Sequence, residues 1–255
     1  MKDKQNIKNN FSRYASTYDR HSALQVYCAQ KLLGFLPGHV AGAVLDIGCG
    51  TGMYTGELAV RYPHNSIAGI DISSEMIKIA REKIRDKRVV FAVEDIEDFE
   101  CDSLYSLVTS NAGLQWVSDL RDVFLRCSRL LEDKGVFAAS IFGPETYFEL
   151  EEVFSCFLDD SFKVAASFFS SEEEVRSCAQ DIFGDLRMQT HTYTQRYDDL
   201  ISFLKDIKYT GTTGGLMSFQ RLKRADILKA EKIYKDRFGH ITASSQIFFI
   251  TGIKK

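Results

Sequence analysis

None of the six cysteines (Cys28, Cys49, Cys101, Cys127, Cys156 and Cys178) stands in a C-x-x-C pair. That spacing underlies small zinc sites and dithiol redox motifs, so neither is expected, and no metal is anticipated. Cysteines scattered through a chain of this size fit a reducing compartment. No apolar run approaches the roughly 20 residues that a membrane helix needs. The opening stretch Met1-Lys-Asp-Lys-Gln-Asn-Ile-Lys-Asn-Asn10 is too polar for a secretory leader. A cytoplasmic protein with no membrane partner is therefore expected. Positive charge is not in excess: the net charge is -3, which argues against a general nucleic-acid-binding surface. Internal repeats and low-complexity stretches are also missing. What is left, 45% hydrophobic and 26% charged over 255 residues, is the composition of a globular domain large enough for one core and a lid. A single domain over residues 1–255, acting as a monomer, is expected.

The chain is organised around Val44-Leu45-Asp46-Ile47-Gly48-Cys49-Gly50-Thr51-Gly52. It reads as a buried strand running into a glycine turn, followed by a helix from about Thr51 to Arg61. The glycines let the backbone turn tightly and approach a ligand without side chains in the way. Nucleotide, flavin and nicotinamide sites all use such turns. Two details narrow the choice. The spacing is G-x-G-x-G, and the last glycine of the nicotinamide fingerprint would fall at Met53. Asp46 lies inside the motif, where a carboxylate would repel a pyrophosphate and suit a cation. The pattern resembles the first motif of class I S-adenosylmethionine-dependent methyltransferases, whose cofactor carries an ammonium and a sulfonium.

Residues 1–38 look helical, with Tyr14, Tyr18, Leu24, Tyr27, Leu32 and Leu33 near helical spacing and Pro37-Gly38 at the end. Their polar groups suggest a cap over the glycine turn. Over 41–141 strands and helices alternate. Ser66–Ile70, Val89–Val93, Leu104–Ser110 and Val136–Ile141 join the first strand, and Ser73 or Ser74 and Asp119 open the intervening helices. Lys134-Gly135 is expected to turn the chain into the fifth strand. This is a doubly wound α/β pattern, and ligands in such sheets bind at the carboxyl ends of the strands. Residues 145–240 read as a helical lid insertion. A helix is expected over Glu145–Leu158, then a capping box at Ser171 and Glu174, a helix over Asp199–Lys208 and a long basic helix over Phe219–Phe238. Leu186–Tyr197 and Ile241–Ile253 are expected as the two sheet-edge strands. The resulting fold is a seven-stranded, mostly parallel, Rossmann-like sheet with an N-terminal helical cap and a helical insertion.

Asp71 lies 19 residues beyond Gly52, the usual reach to a ribose. In the resembling superfamily its carboxylate would accept from both ribose hydroxyls. Ile72 and Met76 would flank the adenine, and Asp95 would accept from the adenine amino group beside the Ile96 backbone. Gly48 would offer its carbonyl to the methionine ammonium, within a turn formed by Asp46, Gly48, Cys49, Gly50 and Gly52. Asn111 and Gln115 are expected on the catalytic side, with Asn111 also touching the cofactor. Trp116 is either a packing residue or a wall of the substrate site.

Longer stretches carry a closer resemblance. Phe11-Ser-Arg-Tyr-Ala-Ser-Thr-Tyr18-Asp-Arg-His-Ser-Ala-Leu-Gln25, Ser110-Asn-Ala-Gly-Leu-Gln-Trp116, Phe142-Gly-Pro-Glu-Thr-Tyr-Phe-Glu-Leu150 and Phe203-Leu-Lys-Asp-Ile-Lys-Tyr-Thr-Gly211 together resemble the malonyl-acyl-carrier-protein O-methyltransferases of biotin synthesis. The loop Thr210–Gly215 departs from that pattern, lacking an expected alanine and asparagine. The resemblance implies methyl esterification of the free malonyl carboxylate with S-adenosylmethionine, leaving S-adenosylhomocysteine. A carboxylate is already ionised at neutral pH, so no general base is required. Tyr18 would close over the cofactor, and Gln25 would help hold its methionine end. His21, Lys205 and Lys208 are candidates for the substrate carboxylate, although a solvated lysine is the plain alternative. The implied partner is an acidic carrier protein bearing malonyl. Arg221, Arg224, Lys232 and Lys235 could dock it, with Leu228 among them and Leu222, Ile227 and Ile233 on the opposite face. The bland alternative is a solvated face also carrying Asp226, Glu231 and Asp236. Competing functions are methylation of another small acid, a quinone or an RNA base, or a cofactor-binding assembly factor without transfer activity.

Overall fold

The structure, a computed structural model, describes residues 4–158, 162–210 and 222–255. Three helices come first: α1 (Lys4–Tyr14), α2 (Tyr18–His21) and α3 (Ala23–Phe35). The alternating region follows as β1 (Val44–Ile47), α4 (Met53–Arg61), β2 (Ile67–Asp71), α5 (Ser74–Lys83), β3 (Val89–Val93), β4 (Tyr105–Asn111), α6 (Leu120–Leu130) and β5 (Leu131–Phe142). Then come α7 (Phe148–Ser155), α8 (Glu172–Gln180), β6 (Phe183–Tyr197), α9 (Leu200–Tyr209), α10 (Arg224–Phe238) and β7 (Ile241–Lys254). The strand order is β3-β2-β1-β4-β5-β7-β6. Strands β1 to β5 pair in parallel, and β7 runs antiparallel to both β5 and β6.

Strand residues alternate between two apolar cores, as a period of two requires. Val44, Leu107 and Ala138 belong to one core with α3, α4, α7, α9 and α10. Leu45, Val108 and Phe137 belong to the other with α6 and α8. All four residues of β1 are buried, the signature of a parallel strand covered on both faces. The helix starts follow their side chains. Ser73 accepts from Met76 N and Asp119 from Asp122 N. Ser171 and Glu174 form the expected capping box, with Ser171 N donating to Glu174 Oε2 at 2.7 Å.

Three expectations change. Ile241–Lys254 is not an edge strand: β7 lies inside the sheet between β5 and β6, and the edges are β3 and β6. Its Ile247-Phe-Phe-Ile250 run is buried on both faces, which an edge would not require. Second, Lys134-Gly135 does not start the fifth strand. Lys134 takes φ 62° inside a longer β5, and the register against β4 shifts between Tyr105 and Leu107. Third, α3 is not part of a cap. Cys28 and Leu32 are fully buried in the main core, so α3 is a core helix that reaches the glycine turn through Gln25, while α1 and α2 lie over the site. No helix among the described residues is long and apolar enough to cross a membrane.

Candidate active site

The turn after β1 holds Gly48, Gly50 and Gly52 at φ 67°, 55° and 82°, the left-handed region that glycine enters without penalty. Asp71, at the end of β2, braces it. Its Oδ2 accepts from Gly50 N at 3.0 Å and its Oδ1 from Ser73 N at 2.8 Å. One carboxylate thus ties the turn to the start of α5. The glycines divide in role. A Cβ on Gly50 would meet nothing within 4 Å, whereas one on Gly52 would press on Ile84, Ala80 and Phe91 at 3.0–3.2 Å. Gly48 and Gly50 face the cavity, while Gly52 serves the packing of α4 on α5.

A partly open cavity lies beside the turn. Asp71, Ile72 and Met76 form one wall, Asp95 and Ile96 the far end, and Asn111 and Trp116 the side toward β4. Four further lining residues come from the N-terminal segment: Lys4, Ile7, Phe11 and Tyr18. Of these, sequence reasoning proposes only Tyr18 as a site residue. The i, i+4 spacing of Ile7 and Phe11 on α1 is the available signal for two of the others. Lys4 Nζ lies 2.5 Å from Asp95 Oδ2 and 2.6 Å from Glu97 Oε2. Burial pulls its ammonium down, but the hydrogen bonds and charges of those carboxylates outweigh this and hold it above its ordinary value. Asp19 fastens α2 to the same wall, accepting from Thr51 Oγ1 at 2.5 Å and Lys83 Nζ at 2.6 Å.

Two carboxyls beside the turn are perturbed. Asp46 in β1 is 1% exposed. Its Oδ2 accepts from Thr55 Oγ1 at 2.6 Å, and its Oδ1 has no partner. Burial pushes this carboxyl up to about 7, with the Asp71 charge adding and the Thr55 bond opposing. Burial raises Asp71 to about 6 against the two backbone N–H groups that favour its charged form. A buried carboxylate oxygen without a partner, next to a glycine turn open to a cavity, matches a ligand that brings a cation and hydroxyls. Those are the groups of S-adenosylmethionine, so the residues present fit that cofactor. Tyr18 is half-buried at the cavity, and desolvation of its hydroxyl, with Asp71 and Asp19 nearby, raises its phenol well above the usual range. It is a neutral hydroxyl and no base.

The other proposed residues separate into groups. Asn111 lines the cavity, but Nδ2 donates to Gln25 O at 3.0 Å and Oδ1 accepts from Ser140 Oγ at 2.8 Å. Its amide is therefore turned to holding α3 and β5. Gln115 does not face the cavity. Buried in the short turn Leu114–Trp116, it donates through Nε2 to Ala112 O at 2.7 Å. Trp116 walls the cavity and packs edge-on against Phe11 and Phe169, so both of its alternative readings apply. Cys49 is buried, its N–H on Ile70 O, and Gln25 is buried beside the turn. His21 stands apart from the main cavity, with Nδ1 2.6 Å from Asp206 Oδ1. Lys205 and Lys208 are exposed and line neither region. They lie on α9 opposite its buried Phe203 and Ile207. Gly211, Gly214, Gly215 and Arg221 lie outside the described residues.

Known proteins resemble this chain in sequence and in fold. A family profile described as a methyltransferase domain matches residues 44–135. A malonyl-acyl-carrier-protein O-methyltransferase of Ilyobacter polytropus is 34% identical over 239 residues, covering 93% of this chain and 88% of the relative. Among solved structures, the YcgJ protein of Bacillus subtilis superposes with a TM-score of 0.63 at 17% identity, over 90% of this chain and 98% of that one. A phosphoethanolamine N-methyltransferase 2 of Haemonchus contortus, crystallised with S-adenosyl-L-methionine, gives a TM-score of 0.56 at 19% identity, over 89% of this chain and 52% of that one.

Proposed function

The chain belongs to the malonyl-acyl-carrier-protein O-methyltransferase family, and on that premise we propose that it esterifies the free carboxylate of a malonyl thioester with a methyl group from S-adenosylmethionine. The observation that carries the reading is the partnerless Oδ1 of Asp46 beside a glycine turn braced by Asp71. Asp71 would take the ribose hydroxyls, and Ile72 and Met76 the adenine faces. Asp95, with the Ile96 backbone, would take the adenine amino group, sharing its carboxylate with Lys4. Gly48, Cys49 and Gly50 would pass the methionine end, with Asp46 compensating its ammonium. When bound, the cofactor supplies a methyl group on a positively charged sulfur, which a carboxylate oxygen accepts with both charges cancelled and no proton moved. The chain's task is then placement and exclusion of water. Tyr18 and Trp116 enclose the site, and Asn111 fixes the α3 backbone at Gln25. A methyl-transfer assay with malonyl carrier protein, malonyl coenzyme A and free dicarboxylic acids side by side tests the reading. Transfer to the malonyl thioesters is expected, and transfer to free acids alone would overturn it.

The perturbed carboxyls give a pH dependence. Free in the folded protein, Asp71 and Asp46 hold protons up to about pH 6 and 7. Unfolded carboxyls release theirs near about pH 4. The folded state therefore binds more protons across that window, and the contribution of these groups to stability falls as pH rises through it. A cationic cofactor requires the ionised forms, so binding at pH 6 should release protons. Affinity should climb from pH 5 to about 7 and level off above 8. Calorimetry in two buffers of different ionisation enthalpy checks this, and zero net proton release at pH 6 would contradict it.

A docking face for the carrier is supported by α10. Arg224, Leu228 and Lys232 follow one another at i, i+4 and i+8 on its exposed side, and Leu228 is 59% exposed. Lys235 is already paired with Glu231 at 2.6 Å. Ile227 and Ile233, with the buried Ala230 and Tyr234, hold the other face on the core. The Arg224→Glu, Lys232→Glu double variant should raise the apparent KM for malonyl carrier protein several-fold and leave that for malonyl coenzyme A unchanged. High salt should shrink the difference, since rim charges act over a Debye length of roughly 8 Å at physiological ionic strength. Equal loss toward both substrates would remove α10 as the docking face.

A further inference from the structure

Beyond the glycine turn the protein holds a second, small and polar chamber. Its walls come from α2, α3, the start of α7, β6, α9 and β7, regions distant in sequence. Gln25 joins it to the cofactor site, because the same side chain lines this chamber and the cleft containing Tyr18, Asp46 and Gly48. Gln25 is only 5% exposed, and its Oε1 has no partner. Across the chamber, Asp206 accepts from His21 Nδ1 at 2.6 Å through Oδ1 and from the Tyr197 hydroxyl at 2.9 Å through Oδ2. The Tyr209 ring lies 4.9 Å from the imidazole. His21 is thereby fixed by one nitrogen and one ring face, which leaves Nε2 for another partner. Tyr147 takes φ 63°, a left-handed backbone rare for an aromatic residue, and its N–H is held by Ser244 O at 2.7 Å. Such strain persists where the surroundings over-determine it and is concentrated at functional sites.

We infer that this chamber seats the carboxylate of the methyl acceptor, with His21 as its donor, Asp206 as the residue that positions His21, and Gln25 at the boundary with the cofactor. The inference rests on the reading of the acceptor as an ionised carboxylic acid. The donor set suits that task. With Nδ1–H given to Asp206, His21 donates through Nε2 as the imidazolium, and that form, paired with Asp206, is the one that holds an anion; the Gln25 and Gln195 amides and the Tyr147 and Tyr193 hydroxyls can donate beside it. None of the described lining residues is a lysine or arginine. A guanidinium fork would grip the carboxylate most strongly before transfer, when its charge is greatest, and so favour the ground state over the transition state. Dispersed donors satisfy the oxygens with less of that penalty. The Asp206 charge is offset by the imidazolium paired with it, and its second oxygen is engaged by the Tyr197 hydroxyl.

Titration of free malonate into protein saturated with S-adenosylhomocysteine tests the chamber without turnover. The unaltered protein should bind malonate. His21→Gln should weaken that binding about tenfold or more, the loss expected for one hydrogen bond to a charged group, with S-adenosylhomocysteine affinity unchanged. Asp206→Asn, which keeps shape and removes charge, should give a smaller loss. In steady state, His21→Gln should raise the KM for malonyl carrier protein by a similar factor. No malonate binding in the unaltered protein, undiminished binding in His21→Gln, or a parallel loss of S-adenosylhomocysteine affinity would each overturn the assignment. His21-dependent malonate binding without methylation of any malonyl thioester would leave the carboxylate seat standing and sink the thioester acceptor.

Discussion

Replacing Asp71 with alanine is expected to weaken S-adenosylmethionine binding at least about a hundredfold. Two hydrogen bonds to a charged acceptor are worth roughly 1.5–3 kcal/mol each, and both ribose hydroxyls would lose theirs. The structure adds a second source of loss. Asp71 also accepts from Gly50 N and Ser73 N, so without it the turn and the first turn of α5 lose their common brace. The substitution Asp71→Asn separates the two effects, because the amide keeps one acceptor oxygen but not the charge. Calorimetric affinity should be highest in the unaltered protein, lower in Asp71→Asn and lowest in Asp71→Ala, with the far-ultraviolet dichroism of all three alike. Unchanged affinity in the alanine variant would remove the ribose from this carboxylate.

The second large effect concerns the N-terminal helices. Deleting residues 1–16 removes α1 and with it the Lys4, Ile7 and Phe11 wall of the cavity, while Tyr18 and α3 stay in place. Methyl transfer should fall on the order of a hundredfold or more, because a site open to water neither positions nor desolvates its reactants. The sheet should still fold, since among the α1 side chains only Ile7 is buried. A deletion reaching residue 30 is a different experiment. It strips Leu24, Cys28 and Ala29 from the main core and should cost the fold itself. Full activity in the shorter deletion would make α1 a packing element only.

The contrast between those two deletions shows where the sequence is informative. The glycine turn, Asp46, Asp71 and the span of β3 are legible because backbone conformation and strand burial leave local marks. Helix phase also places Lys205 and Lys208 on the exposed side of α9, since Phe203 and Ile207 on the same helix point inward. Other features depend on partners far along the chain. Lys4 becomes part of a site only when α1 folds back beside the residues following β3. Asn111 and Gln115 are amides in one loop, and only the turn Leu114–Trp116 decides that each is engaged by backbone carbonyls. Nor does an apolar strand announce its neighbours, which is why β7 reads as an edge from its residues alone. Its pairing with β5 and β6 is a property of topology rather than of its own side chains.

The interior position of β7 also orders the events of biosynthesis. During translation, β6 leaves the ribosome before β7, the one strand it pairs with among the described residues, has been made. Until β7 follows, β5 presents an unpaired edge and β6 has no sheet to join. The nascent chain can assemble β1 to β5 as a parallel half-sheet, but Ile247, Phe248 and Ile250 are the residues that later close both cores. Completion therefore waits on the insertion of one late strand between two early ones, a non-local step that is slow and leaves sheet edges exposed to other chains. Loss of residues 244–255 would remove most of that strand's pairing and leave the outer half of the sheet without an anchor, however intact the cofactor site upstream.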